Sequence, residues 1–303
     1  MRKKVDVTFE GITDTTGYLF SLAKCFMAAV NCSEYKAYAE DIIAGSGFAF
    51  RMWADSEQLC PSAMSIWEFS KQKEWFENSG LTCGYVERLW GQETHEEVRR
   101  IEAVELIKNS INHGVAAVAW DIGNCEWGII NGYDDMERTF FALQVDGSEG
   151  IVPFEKLGRF EIPILSVLAV TGKEEKTKEQ ILSDTKKLAA AHLRGEEWCE
   201  NAKGLAVYGT MADFVTEKLS SDTAWNLEYY LGTYAALKWY AWKFFEKYEE
   251  RKLTELYKQV YECWKTAFDL KCAKDVTDMV IRGQIADLLH VAEKAEQEAM
   301  SLM

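Results

Sequence analysis

The chain has 303 residues, of which 48% are hydrophobic and only 3 are proline, and this composition excludes a disordered or linker-rich chain. Its formal net charge of −15 disfavours a nucleic-acid partner, because phosphate binding depends on clustered Lys and Arg side chains. The length is sufficient for two packed domains, which we place at residues 1–172 and 173–303.

The N-terminus carries no targeting signal in its pattern. Arg2, Lys3 and Lys4 lead directly into alternating residues and not into the apolar run of a signal peptide. No window approaches the roughly 18 unbroken apolar residues that a membrane-spanning helix needs. We therefore expect a cytoplasmic protein with no membrane partner.

The chain has eight cysteines and four histidines. The cysteines are scattered and form no CxxC pair, so we expect reduced thiols. The histidines stand apart from one another and from any cysteine pair. The sequence thus predicts neither a metal site nor a cofactor.

The sequence of the first part of the chain predicts helices separated by strands. Asp14 and Thr15 offer side chains that cap a helix N-terminus, and Gly80 and Gly114 follow helical patterns as stops. The predicted helices are residues 16–30, 62–79 and 95–113. The predicted strands of this half are residues 5–10 and 81–89.

The second half begins with strands and ends with helices. The strands are predicted over residues 115–120, 126–130, 139–145 and 162–170, with turns at Asp134-Asp135 and Asp146-Gly147. After Gly172 every segment to Met303 has a helical pattern. Helices, then a strand meander, then a helical bundle is an α+β order.

Three segments carry a resemblance to a known family. They are GSGFAFRMW at 45–53, CPSA at 60–63 and GVAAVAWDIGNCEWGIINGYDD at 114–135. They resemble the N-terminal domain of the butirosin biosynthesis protein H family, acyltransferases that move an aminoacyl group from a carrier protein onto an aminoglycoside. The resemblance implies a papain-like (cysteine-peptidase-like) α+β domain with an antiparallel sheet, followed by an α-helical bundle domain.

The same resemblance assigns the catalytic positions. In papain-like enzymes a cysteine stands at a helix N-terminus and a histidine lies on the strand that precedes Gly-Tyr-Asp. Counting back six residues from Gly132 reaches Glu126, so a carboxylate occupies the histidine position. The predicted helix start places Thr15 and Thr16 at the cysteine position, and Asp146 falls where the third catalytic residue would stand. A carboxylate with an ordinary pKa of about 4.3 is a poor base for a hydroxyl, so the thiol–imidazole mechanism is predicted to be absent.

These positions suggest a ligand site without covalent chemistry. Glu126 and Arg51 would orient a polar small molecule or peptide, Trp127 would stack on it, and Thr15 and Thr16 would line the same interdomain cleft. For Arg51 the competing interpretation is a pairing with one of the many acidic side chains. The leading hypothesis is therefore a degenerate, non-catalytic relative of the butirosin-type acyltransferases.

Two other interpretations stay open. Cys125, next to Glu126, could be a relocated nucleophile, which would make the chain an active acyltransferase or thiol hydrolase with a carrier protein as partner. The aromatic residues between Trp225 and Phe268 could instead belong to a helical interaction module, which predicts an exposed apolar patch and a homo-oligomer.

Overall fold

The computed structural model describes residues 1–65, 67–276 and 278–303. These residues form two compact units. The sheet unit comprises Met1–Ile12, Ser21–Ile42 and Phe69–Lys176, and the helical unit comprises Thr13–Phe20, Ile43–Glu68 and Thr177–Met303. The predicted division at residue 172 differs from these units, because Thr13–Phe20 and Ile43–Glu68 group with the C-terminal helices.

The strands form two antiparallel sheets. Seven strands make the larger sheet, in the order β3-β8-β4-β5-β6-β7 with β1 also paired to β5, and β2 pairs with β9 in the smaller sheet. The strands are β1 (Arg2–Lys4), β2 (Trp53–Ala54), β3 (Leu81–Arg88), β4 (Ala117–Ala119), β5 (Gly128–Asp134), β6 (Thr139–Leu143), β7 (Glu149–Pro153), β8 (Leu165–Lys173) and β9 (Ala202–Lys203).

Helices account for most of the remaining described residues. The α-helices are α1 (Ser21–Asn31), α2 (Ile42–Gly45), α3 (Gln72–Glu77), α4 (Glu96–Asn112), α5 (Lys178–Leu193), α6 (Ala206–Asp213), α7 (Ala224–Lys247), α8 (Arg251–Ala273) and α9 (Met279–Met300). Shorter 3-10 turns lie at Lys36–Asp41, Pro61–Ser65, Phe69–Lys71, Glu93–His95 and Phe154–Lys156. Within the described part of the chain, no helix is both long enough and apolar enough to cross a membrane.

The core of the sheet unit has helices on both faces of the sheet. Ile107 of α4 packs in a buried cluster with Ala117, Ala119 and Ile130, which alternate onto one face of β4 and β5. Helix α1 contacts β4 and β5 but shares no residue with this cluster, which puts α1 against the other face. That face carries Val118, and it is the face on which the candidate site lies.

The helical unit buries most of its aromatic side chains. Tyr230, Tyr234, Tyr257 and Trp264 are fully buried, and among the described residues 225–268 Trp225 is the exposed aromatic side chain. A buried ion pair lies in the same core, where Lys238 Nζ donates to Glu296 Oε1 at 2.7 Å. Tyr208 Oη donates to Glu296 Oε2 at 2.6 Å. The aromatic density of this segment is therefore mainly core packing.

Several predicted boundaries are wrong, and the errors concentrate before residue 80. Residues 5–10 form no strand, because the edge pairing with β5 is made by β1, at Arg2–Lys4. Residues 16–20 are not helical: Thr13 pairs with Tyr18 in an isolated bridge, and α1 begins at Ser21. The predicted helix over 62–79 is divided into short 3-10 turns and α3, and Ile66 within it lies outside the described residues.

Candidate functional site

The candidate site is a hydrogen bond between Ser21 and Glu126. Ser21 is the first residue of α1, and its Oγ donates to Glu126 Oε2 at 2.5 Å. Ser21 is 6% exposed, so this hydroxyl is held away from bulk water. A nucleophile within hydrogen-bond reach of a base, at the positive end of a helix, is the arrangement that nucleophilic catalysis requires.

Ser21 is the residue that the sequence pattern missed. The prediction that Thr15 and Thr16 stand at the helix start is wrong, since α1 begins at Ser21. Thr15 is exposed, and Thr16 is buried in the helical unit, where its hydroxyl donates to the Gly232 carbonyl at 3.1 Å. Serine is itself a favoured residue at helix N-termini, and that preference could have identified Ser21.

Glu126 is positioned by a strained turn. The Glu126 N–H donates to the Gly123 carbonyl, and Asn124 and Cys125 between them both have positive φ, at 55° and 52°. Two consecutive left-handed residues make a type I′ turn, which favours Asn and Gly. Cys125 is costly there, because a side chain in this conformation is disfavoured by about 1 kcal/mol or more. Such strain is typical of sites where the backbone must aim a particular side chain.

The surroundings of Glu126 change its acidity. Burial raises the pKa of its carboxyl above the usual value, and this effect outweighs the opposing hydrogen bonds from the Ser21 hydroxyl and the Trp127 backbone N–H. A raised pKa makes Glu126 a stronger base than an ordinary glutamate. The fold therefore reduces the difference in pKa between the Glu126 carboxyl and a serine hydroxyl that makes an ordinary glutamate a poor base.

The cysteines do not supply an activated thiolate near this site. Burial and the carboxylates of Asp121 and Glu161 raise the pKa of Cys125, which is the opposite of the shift that a nucleophilic cysteine needs. Burial also raises the pKa of Cys25, one turn into α1. Cys125 lines a cavity of about 320 Å³ together with Asp121 and Glu161. The hypothesis of a relocated cysteine thus receives no support from the electrostatics.

Asp146 lies in the turn between β6 and β7. It is exposed, and its Oδ1 accepts hydrogen bonds from the Ser148 N–H at 2.9 Å and the Ser148 hydroxyl at 2.6 Å. These contacts fix a turn, and the same bonds lower the pKa of the carboxyl. A catalytic role for Asp146 remains a prediction without a supporting contact.

Arg51 lies in the helical unit and binds an internal carboxylate. It is 1% exposed, and its Nε and Nη2 donate to Glu197 at 2.9 Å and 3.0 Å. Its guanidinium also contacts His192, whose Nδ1 lies 2.8 Å from Glu197 Oε1. The structure thus gives Arg51 a bidentate partner in the chain itself, Glu197, which agrees with the competing interpretation of the sequence and not with binding of a substrate carboxylate.

Trp127 lies directly after Glu126 and is fully buried. Its ring lies 5.4 Å from the rings of Phe69 and Trp120, measured between centroids. Cys25 Sγ donates to the Trp127 carbonyl at 3.6 Å, which ties this residue to α1. The structure therefore brings Glu126, Trp127 and the N-terminal turns of α1 together in the sheet unit, while Thr15, Thr16 and Arg51 belong to the helical unit.

The comparisons with known proteins do not decide the family. Neither the models of known families nor the curated proteins give a match to this chain. The functional argument consequently depends on the geometry of Ser21 and Glu126 and on the residues around them.

Proposed function

We propose that this chain is an acyltransferase or acyl hydrolase in which Ser21 is the nucleophile and Glu126 is the general base. The observation that carries the proposal is the 2.5 Å hydrogen bond from Ser21 Oγ to Glu126 Oε2 at the first residue of α1. A serine and a glutamate would occupy the positions that the resembling papain-like enzymes give to cysteine and histidine. The papain-like fold is part of this proposal.

The reaction would proceed in two balanced steps. Glu126 accepts the Ser21 proton as Oγ bonds to the acyl carbon, and the bond from that carbon to the leaving group breaks. The leaving group takes the proton from Glu126 as it departs or directly afterwards, so the carboxylate is restored and the thiol or amine is released neutral. In the second step water or an acceptor amine attacks the Ser21 ester, Glu126 removes its proton and returns that proton to Ser21 Oγ. The first N–H groups of α1, which have no acceptor within the helix, can stabilise the oxyanion.

The weak base indicates the substrate class. A carboxylate removes the proton of a serine hydroxyl less readily than an imidazole does, so attack on the acyl carbon is the demanding step. An acyl carbon with a good leaving group lowers that barrier, and a thiolate, whose thiol has a pKa of about 8.5, is a much better leaving group than an amine. An activated acyl group such as a thioester is therefore the substrate that Glu126 suits. A carrier protein that presents a thioester would fit this chemistry, and it remains a predicted partner, as does a second copy of the chain.

Acylation by a small thioester tests the proposal. The acetyl thioester of N-acetylcysteamine should add one acetyl group to Ser21, detected by intact mass and peptide mapping. Ser21→Ala should abolish the adduct, and Glu126→Gln should slow its formation by about 10² to 10⁴, the usual contribution of a general base. Ser33→Ala, beyond the other end of α1, is the matched control and should react normally.

Each of the other outcomes would support a different function for this chain. An adduct on Cys125 would overturn the assignment of Ser21 and restore the relocated cysteine. No adduct on a folded protein would overturn the enzyme and leave non-catalytic ligand binding, the second candidate, which is favoured by the absence of a Cys–His pair at these positions.

A further inference from the structure

Two indole rings, those of Trp120 and Trp127, contact each other at 5.4 Å between centroids, and Trp127 directly follows Glu126 in the chain. β4 and β5 pair with Ala119 opposite Gly128, and one step further in this antiparallel register places Trp120 opposite Trp127. Residues in such a pair project from the same face of the sheet. Side chains alternate between the two faces of a sheet, and Ala119 lies on the face that packs against α4. Trp120 and Trp127 therefore project from the other face, against which α1 packs.

Both indole N–H groups are buried and lack an acceptor within the described chain. Trp120 is 7% exposed and Trp127 is 0% exposed, and neither Nε1 has a hydrogen-bond partner. The backbones of the same residues are satisfied, since the Trp120 N–H donates to Ser166 at 3.0 Å and the Trp127 carbonyl accepts from Cys25. An unsatisfied buried donor destabilises the folded protein, so two adjacent ones need a reason.

The chemistry of these donors limits what can bind them. An indole N–H donates and cannot accept, so the missing partner is an acceptor atom. The ring of Phe69 packs at 5.8 Å from Trp120 and 5.4 Å from Trp127, which makes the surroundings apolar and unfavourable for a full charge. The carboxyl of Glu126, the residue before Trp127, would also repel an anion when ionised. A neutral carbonyl oxygen meets all three conditions.

We infer that Trp120 and Trp127 form a subsite that binds a neutral carbonyl oxygen on the acyl chain of the substrate. This inference rests on the proposed function and specifies its substrate class: an acyl group with a second carbonyl, such as an N-acylated aminoacyl group. The indoles are positioning residues for that chain, and the acylation itself takes place at Ser21.

The test compares two thioesters of N-acetylcysteamine with acyl chains of similar length. The N-acetylglycyl thioester carries the second carbonyl and the pentanoyl thioester does not. With ¹⁵N-tryptophan-labelled Ser21→Ala protein, which cannot turn either compound over, the N-acetylglycyl compound should move two indole N–H resonances downfield. Trp120→Phe and Trp127→Phe should each remove one of them. Trp90, which is 60% exposed, provides a reference resonance that should not move.

Turnover by the wild-type protein gives a second readout. The preference for N-acetylglycyl over pentanoyl thioester, expressed as the ratio of kcat/KM values, should fall at least about tenfold in Trp127→Phe, with most of the change in KM. Trp90→Phe should leave the ratio unchanged. Equal shifts with both compounds, or no shift at either indole, would overturn the subsite.

The two proposals can fail separately. If wild-type protein acylates at Ser21 but the indole resonances respond equally to both thioesters, only the subsite is wrong. If the indole resonances respond selectively but no acyl-Ser21 forms, the subsite remains as a ligand site and the enzyme is wrong.

Discussion

At the scale of residues, Ser21 and Glu126 depend on each other. A serine hydroxyl is a weak nucleophile until a base removes its proton, and Glu126 becomes a useful base only because burial raises its pKa. The short turn before Glu126 then keeps the carboxyl at hydrogen-bond distance from Ser21. The reactivity that we propose for this site would thus be created by the fold and not by the residue type.

The raised pKa of Glu126 predicts a characteristic pH dependence of stability. A carboxyl whose pKa is higher in the folded protein than in the unfolded chain contributes stability below its ordinary value of 4.5, and this contribution is lost as pH rises through the folded pKa. Glu126→Gln keeps an acceptor oxygen for Ser21 but cannot ionise. Its melting temperature should exceed that of the wild type by a few degrees at pH 7.5, and the difference should disappear near pH 4. A difference that is constant across this range would contradict the raised pKa.

At the scale of elements, local patterns predicted some boundaries well. The helix predicted over 95–113 is observed as α4, Glu96–Asn112, and Gly114, with a φ of 81°, follows its end as the pattern indicates. Its apolar spacing agrees with the packing only in part, since Ile107 is buried whereas Val98 and Ile101 are exposed. Glu126, which the spacing from Gly132 placed at the histidine position, accepts a hydrogen bond from Ser21 in the first turn of α1. The helix start at residue 16 is wrong, because the cap signal of Asp14 and Thr15 is local. In the structure Gly17 packs against Gly232 of α7, and the chain turns back so that Thr13 pairs with Tyr18.

The contact between Gly17 and Gly232 gives a prediction for α7. A Cβ at Gly232 would lie 2.6 Å from the Thr16 carbonyl oxygen and 3.1 Å from the Gly17 Cα. Gly232→Ala should therefore destabilise the protein by about 1 to 3 kcal/mol, although alanine is the better helix former. Gly209→Ala in α6 is the matched control, since a Cβ there meets nothing within 4 Å, and it should stabilise by up to about 1 kcal/mol. Urea denaturation measures both changes. A stabilising Gly232→Ala would show that the two segments are not packed this closely.

At the scale of the whole molecule, the buried network of Arg51, His192 and Glu197 should contribute to the response to acid. His192 is 3% exposed, and burial together with the adjacent Arg51 lowers its pKa to about 4. In the same network Arg51 and His192 lower the pKa of Glu197 to about 2 despite its burial. Protonation of His192 would put a second positive charge beside Arg51 in the interior, so acid should act on global stability through this group.

A single substitution isolates that effect. Because the pKa of His192 is lowered from 6.5 to about 4, its contribution to stability is complete above 6.5 and is lost as pH falls toward 4. Between pH 7.5 and pH 4 the wild type should lose roughly 3 kcal/mol more than His192→Asn. Urea denaturation at several pH values gives both curves, and parallel curves would contradict a neutral, buried His192.

The alternation of the two units along the chain has a consequence for synthesis. Residues 13–20 and 43–68 leave the ribosome early, yet the rest of the helical unit begins only at Thr177. Phe50 and Trp53 are fully or almost fully buried in the finished protein. Their partners in α7 and α8, which are Phe245 and Tyr257 for Phe50 and Tyr234 for Trp53, are not yet made when this segment emerges. Neither unit can therefore be exchanged as one continuous gene fragment, and the nascent chain exposes apolar surface that a chaperone could bind until its last helices are made.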